Sequence, residues 1–554
     1  MAEPNSATRG LRALAAQAVD TLLQADPVSA TWLGDHRFDA ELPEISTEAE
    51  AEIARRIDDH LTALDAIDDV ELDVEDLVDL EILRARLMRE QFNVSELQAV
   101  TWNPLLTNPG TALYLLINRD FAPIAERRAA LDARIRAIPE YLATARQRLG
   151  SMPAIHVETA IAQFAGTRQL IETQIPAYLQ EADAPPLASE ALERAIDGID
   201  EHVAFLNDQL PTSNRSPRIG SRLYAGVLWH ALDDASDAQV LLRQAEDHLD
   251  SVPTQLREHS AEYLDESVFA EDVVRRALGE VALRAPVTNE SVLMLVEQAL
   301  ASTTQFVNEH ELVSIPELDT RIIEMPEIHR GVAVAYCDAP GPMESVHLPT
   351  YVAVSPSPAD WSAERIDSFY REYNATLIHD LTIHEAMPGH VLQLAHAQRL
   401  KPQTPVRQFG FSGVFVEGWA VYAEELMVRT GYAPKETHKA RLAIQLQQLK
   451  MQARMAINTI LDIRVHCTDF SEEEAMRLML RRGFQEEGEA TGKWRRALLT
   501  SGQLPTYFVG YQAVRSLAHD LQVLHPDWSV KQVHDLMLSH GSPAPRHLRT
   551  LIGV

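Results

Sequence analysis

The chain has 554 residues, 46% hydrophobic and 23% charged, and a formal net charge of −32. That length exceeds one simple core and predicts two lobes or more. The acidic balance argues against DNA or RNA as a partner, and with no apolar run of about 18 residues nothing should span a membrane. Only Cys337 and Cys467 are present, so no disulfide framework is expected. The first ten residues lack the basic-then-apolar layout of a signal peptide. Together these features predict a cytoplasmic protein.

Residues 9–25 show helical spacing through Leu11, Leu14, Ala18, Leu22 and Leu23, ended by Asp26-Pro27. Thr47, with Glu50 three residues on, reads as a capping box that opens a long helix. Acidic helices continue to about residue 97. Residues 98–122 hold Trp102, Asn103, Pro104, Pro109 and Tyr114 and read as an irregular loop with a short helix. Helices from Ile124 to Leu210 are predicted to break at Pro139, Pro153 and Pro185-Pro186. A loop over 211–220 follows, and helices resume to about residue 309.

The texture changes at 312–355. Arg321 to Glu324, Val332 to Tyr336, Val346 to Leu348 and Tyr351 to Val354 read as short strands. They predict a small sheet, either packed on helices or presenting an edge to an extended peptide. Asp360 or Ser362 can cap the next helix. Residues 435–466 read as one long helix, and Ser471 with Glu474 forms a capping box for another.

The chemistry concentrates in His384-Glu385-Ala-Met-Pro388-Gly389-His390, inside an apolar, helix-prone run. Neutral imidazole is the commonest zinc ligand, and a glutamate beside the first ligand can take a proton from water. In H-E-x-x-H the two histidines are four apart and share a helix face. Here they are six apart, about 120° around a regular helix. Pro388 cannot continue a regular helix, so a bulge or kink between the histidines is expected to re-aim His390 toward His384. The plain alternative is that one helix ends near Met387 and another begins at His390, with both histidines structural.

A third ligand is expected from Gly413 to Met427. Glu417 sits there in apolar surroundings, where a lone carboxylate is costly unless paired or metal-bound. Glu424, seven residues on, shares nearly the same helix face and can accept a hydrogen bond from a ligand histidine. Glu425 reads as part of a solvated face.

The two segments together, His-Glu-x-x-Pro-Gly-His-x-x-Gln and Glu-Gly-Trp-Ala-x-Tyr-Ala-Glu, resemble the bacterial family called domain of unknown function 885. That family is grouped with zincin-type metallopeptidases. It is distantly similar to neurolysin-like and angiotensin-converting-enzyme-like peptidases, which are helical, two-lobed and built around a deep channel. Weaker echoes are Pro27 to Gly34, Asn103-Pro104 and Ser539 to Pro545.

The resemblance implies His384, His390 and Glu417 as ligands of Zn2+ and Glu385 as general base. Gly502 to Tyr511 resembles the family's Gln-Ala-x-x-Tyr-x-x-Gly, and a tyrosine hydroxyl there can donate to an oxyanion. Tyr507 is favoured over Tyr511, against the plain reading of both as core tyrosines. Asp462 and His466 echo a family Asp-x-Gly-x-His, with Arg464 in place of the glycine.

The expected fold is mainly α, two-lobed and zincin-like, with a small β-sheet next to the active-site helix. Residues 1–310 form a helical lobe and channel wall, and 311–554 the catalytic lobe. The expected function is zinc-dependent hydrolysis of peptide bonds in short peptides. The alternatives are a zinc hydrolase of another amide or ester, and a non-catalytic helical binding protein with a structural or lost metal site. The expected partner is a peptide or other small molecule, with no nucleic acid and no membrane.

Overall fold

The structure is a computed structural model that describes residues 5–284, 286–325, 334–358 and 361–554. It is mainly helical with one small sheet. Its internal contacts divide the chain into two compact units. The first comprises Met1–Pro217, Pro340–Leu348 and Lys401–Gly410, and the second comprises Arg218–Ala339, Pro349–Leu400 and Phe411–Val554. The division therefore falls at 217/218 and not near 310, where the lobes were expected to part. The helices between those points belong to the second unit, because Ala238–Leu264 packs along His438–Cys467. A tertiary pairing over that sequence distance leaves no mark in the local pattern.

In the first unit, the opening helix Ser6–Ala25 stops at Asp26, whose carboxylate caps Pro27–Leu33 by accepting from Ser29 N–H. The next helix runs Thr47–Asp65, but its cap is Ser46, which accepts from Ala49 N–H, so Thr47 is already its first helical residue. Pro139 does not break its helix. It lies within Ile124–Arg148, whose Leu131, Ile135, Ile138 and Leu142 are all buried. A missing hydrogen bond and a ring clash cost about 3 kcal/mol, which a buried stripe of this length offsets. The Ser189–Gln209 helix meets that site at Gly198, where an added Cβ would lie 3.1 Å from Pro139 Cα. The segment from Val346 to Leu348 forms no strand. Glu344 accepts the Val346 N–H at 2.9 Å and bonds His36 Nε2 at 3.0 Å, so this stretch is tied to a side chain and not to a ladder.

In the second unit the 30-residue helix His438–Cys467 is buried along most of its length. Helices Ala238–Leu264, Ala375–Glu385 and Pro505–Leu524 pack on it. Among the described residues the sheet has three strands, β1 Thr320–Glu324, β2 Ala335–Asp338 and β3 Thr350–Val354, in the order β1-β3-β2. β1 runs parallel to β3 with Thr320 opposite Thr350, and β2 runs antiparallel with Ala335 opposite Val354. Among the described residues β1 and β2 are therefore the outer strands. Val332, at the start of one expected strand, and Asp360, one of the two candidate caps, lie outside the described residues. Ser362 caps Ala363–Glu372 by accepting from Arg365 N–H. The Ser471–Glu474 capping box forms as expected.

Candidate functional site

The Ala375–Glu385 helix starts at Asn374, whose side chain accepts from the Thr376 and Leu377 N–H groups. It ends at Glu385, and a new helix, His390–Gln398, begins five residues later. The expected continuous but distorted helix is thus replaced by two helices and a tight turn. Pro388 has no N–H to offer, and the last carbonyls of the first helix are taken within the turn. Met387 N–H donates to Thr382 O at 3.1 Å, and Gly389 N–H donates to Ile383 O at 2.9 Å. Gly389 has to be glycine, because an added Cβ would sit 1.9 Å from His384 O. Trp419 Nε1–H donates to Pro388 O at 2.8 Å and ties the turn to the Gly413–Thr430 helix.

The turn brings the two imidazoles together, with ring centroids 4.7 Å apart and planes at 85°. Glu417 Oε2 lies 3.4 Å from His384 Nε2 and 3.5 Å from His390 Nε2. The three side chains can each offer one atom within 4.8 Å of the others, the only such group among the described residues. These separations are long for hydrogen bonds. They match the edges of a tetrahedral zinc site, in which donors about 2.0–2.1 Å from the ion lie roughly 3.3–3.4 Å apart. Glu417 Oε2 is itself buried and has no hydrogen-bond donor. Two imidazole nitrogens and one such carboxylate oxygen fit a divalent cation.

Glu424 lies two helical turns beyond Glu417, and its Oε1 accepts from His384 Nδ1–H at 2.6 Å. That bond fixes the tautomer of His384 and leaves Nε2 to face Glu417. Burial works against a charged His384, but Glu417 and Glu424 prevail and hold its pKa well above the ordinary value in the metal-free protein. Burial likewise pushes Glu417 up, and the two imidazoles more than reverse it, so its carboxylate stays ionised. Removing a hydrogen-bond partner of a ligand histidine costs 10–100-fold in metal affinity. Glu424→Gln, which can no longer hold the imidazole by charge, is expected to weaken metal binding by about that factor in a competition titration against a chelator.

Glu385 is 9% exposed, and its Oε2 accepts from the Cys337 N–H on β2 at 3.0 Å. Burial and the nearby Glu417 raise its pKa, and His384 and His390 oppose them. A carboxylate whose pKa is raised in this way is a better proton acceptor than an exposed one. Tyr507 lies on Pro505–Leu524, with its ring 6.4 Å from that of His384. Burial and Glu417 raise its pKa, so the hydroxyl stays protonated. Its oxygen accepts from Gln503 Nε2 at 3.3 Å, which leaves its own O–H to donate. This helix crosses Gly413–Thr430 backbone to backbone. An added Cβ on Gly418 would lie 2.3 Å from Gly510 C, and one on Gly510 would lie 2.1 Å from Val414 O.

Three other expected residues stand apart from this group. Tyr511 is 4% exposed, and its hydroxyl donates to Glu425 at 3.0 Å. Glu425, expected on a solvated face, is thereby engaged, and Arg515 Nε also lies 3.3 Å from it. Asp462 accepts from Tyr224 O–H and from Gly502 N–H, each at 2.8 Å. His466 bonds the Thr500 carbonyl through Nε2 at 2.8 Å. Both residues brace neighbouring backbone. Arg464, in the place of the family glycine, pairs with Glu246. Sequence reasoning did not find the Cys337 amide, because a backbone group carries no residue signature. It also passed over Gln503 and Arg496.

The family model for a bacterial protein of unknown function, DUF885, matches residues 27–552. The chain belongs to DUF885. No curated protein matches it. Among solved structures, a candidate lipoprotein of unknown function from Shewanella oneidensis is 26% identical, with a TM-score of 0.81 over 98% of this chain and 99% of that one. A candidate lipoprotein from Colwellia psychrerythraea is 16% identical, with a TM-score of 0.79 over 99% of each chain. An M32 carboxypeptidase from Deinococcus radiodurans aligns at 11% identity with a TM-score of 0.39, too low to show a shared fold. The DUF885 fold is thus found from end to end in proteins described as lipoproteins. That finding overturns the expected cytoplasmic location. Among the described residues no helix is long and apolar enough to cross a membrane. Neither that fact nor a pair of free cysteines determines where a chain resides.

Proposed function

We propose that this DUF885 protein is a zinc-dependent peptidase acting at His384, His390 and Glu417. The observation that carries the reading is the juxtaposition of this triad with Glu385, the residue that follows the first ligand. A metal-binding fold alone needs three or four donors and no buried base. A zinc ion held there supplies Lewis acidity to a carbonyl and to water. Glu385 takes the proton from the attacking water and passes it to the leaving amine. Tyr507 O–H donates to the oxygen of the scissile carbonyl as negative charge develops on it. Glu424 keeps His384 in the tautomer that the site requires.

β2 supports a peptide as the substrate. Among the described residues it is an outer strand of the sheet, and its Cys337 N–H reaches Glu385. An extended backbone that follows this edge runs beside the base. The test is metal removal. The purified protein is expected to carry about one zinc per chain and to cleave members of a mixed peptide pool. Dialysis against a chelator should abolish the cleavage, and added zinc should restore it. Cleavage that survives complete removal of metal would refute the reading.

A further inference from the structure

Arg496 stands on the Glu487–Leu499 helix and points toward the site through one amide. Its Nη2 donates to Gln503 Oε1 at 2.8 Å, and Gln503 Nε2 donates in turn to the Tyr507 hydroxyl at 3.3 Å. It is half-buried, yet among the described residues no carboxylate lies within ion-pair distance of it. Asp and Glu number 81 against 49 Lys and Arg, and neighbouring cations of the same unit are paired, Arg454 with Glu489 and Arg371 with Glu486.

One acid that senses Arg496 is Asp462. It is committed to Tyr224 and Gly502, and burial raises its pKa to about 7. Lys493, almost one turn earlier on the same helix, lies 3.9 Å from Glu489, and burial pulls its pKa down to about 7. Among the described residues no carboxylate lies within ion-pair distance of this charge, and a guanidinium presents two parallel N–H donors that match a carboxylate.

Resting on the peptidase reading, we propose that Arg496 receives the free C-terminal carboxylate of a peptide and that the enzyme releases residues from that end. The separation suits the role. The two hydrogen bonds from Tyr507 to Arg496, with the amide between them, span at most about 8 Å, roughly two residues of extended peptide. A peptide bond beside Tyr507 then has its terminal carboxylate at Arg496 when one or two residues remain beyond the cut. Arg496 is a substrate-positioning residue and takes no part in the proton transfers.

The same chemistry is presented by an acidic side chain within a peptide, and the experiment separates the two. Glu385→Gln protein is immobilised with its metal. Pools of six-residue peptides are passed over it, one with free C-termini and one amidated, and the retained species are identified by mass spectrometry. Free acids are expected to be retained at least tenfold over their amides. Arg496→Ala in the same background should bring that ratio close to one, because truncating one partner of a buried charged pair costs 10-fold or more. Arg496→Lys, which keeps the charge but not the paired donors, should retain an intermediate preference and guards against misfolding in the alanine variant. Equal retention of the two pools, including none of either, overturns the proposal. So does retention of amides that tracks their Asp and Glu content. A preference for free acids without any cleavage by the wild-type protein would sink the peptidase reading and leave the carboxylate site standing.

Discussion

Glu385→Gln is expected to lower kcat by about 1,000-fold or more while the metal content stays at the wild-type level. The substitution keeps the size of the side chain and its carbonyl oxygen, which can still accept the Cys337 N–H now received by Oε2 at 3.0 Å. The proposed ligand triad is not touched, since Glu385 is not among the three residues whose donor atoms converge. Only the capacity to take and return a proton is lost. General acid and base catalysis accounts for about 100- to 10,000-fold in rate, and in the proposed mechanism one residue does both tasks. Steady-state kinetics on a cleaved peptide, with elemental analysis of the same sample, makes the check. Unchanged kcat would move the proton transfers to another group, and lost metal would make Glu385 a structural part of the site.

The second large effect is expected at Gly389. Gly389→Ala places a methyl group 1.9 Å from His384 O and 2.4 Å from Ile383 O. Both are backbone atoms at the end of a packed helix, so no flexible side chain can yield. Ordinary overpacking costs about 1–3 kcal/mol, and a collision with backbone is expected to cost about 3 kcal/mol or more. The turn must open to relieve it, and the turn is what turns His390 toward His384. The variant should therefore unfold at a clearly lower temperature and keep less than a tenth of its metal after dialysis. Gly488→Ala, where an added Cβ meets nothing within 4 Å, is the control and should keep both properties. A Gly389→Ala protein with normal metal content would show that the turn does not set the site.

What the sequence reveals follows from the range of the forces involved. Residue types that are costly in apolar surroundings, such as Glu417 and Glu424, stand out without any structure. So do helices with a regular buried stripe and the Ser471–Glu474 cap, which are local. The link between His384 and His390 was legible only in part. Pro388 announces an interruption, but whether the chain bulges or stops depends on which carbonyls the Met387 and Gly389 amides reach. Pro139 misleads for the opposite reason, since Gly198 and a buried stripe hold its helix together from outside. Asp462 and His466 share the chemistry of site residues, and only their backbone partners show what they do. Arg496 gave no signal because its link through Gln503 to the Tyr507 hydroxyl is made by packing, which a sequence does not show.

The crossing at Gly418 and Gly510 has a mechanical consequence. One helix carries Glu417 and the other carries Tyr507, and at their junction the two backbones touch with no side chain between them. Most helix pairs can creep past one another as rotamers re-settle, because side chains act as a yielding gasket. This joint has no gasket, so the spacing of Glu417 and Tyr507 behaves like that of two marks on one welded frame. A guest that reaches the site has to be accommodated by elements other than these two helices.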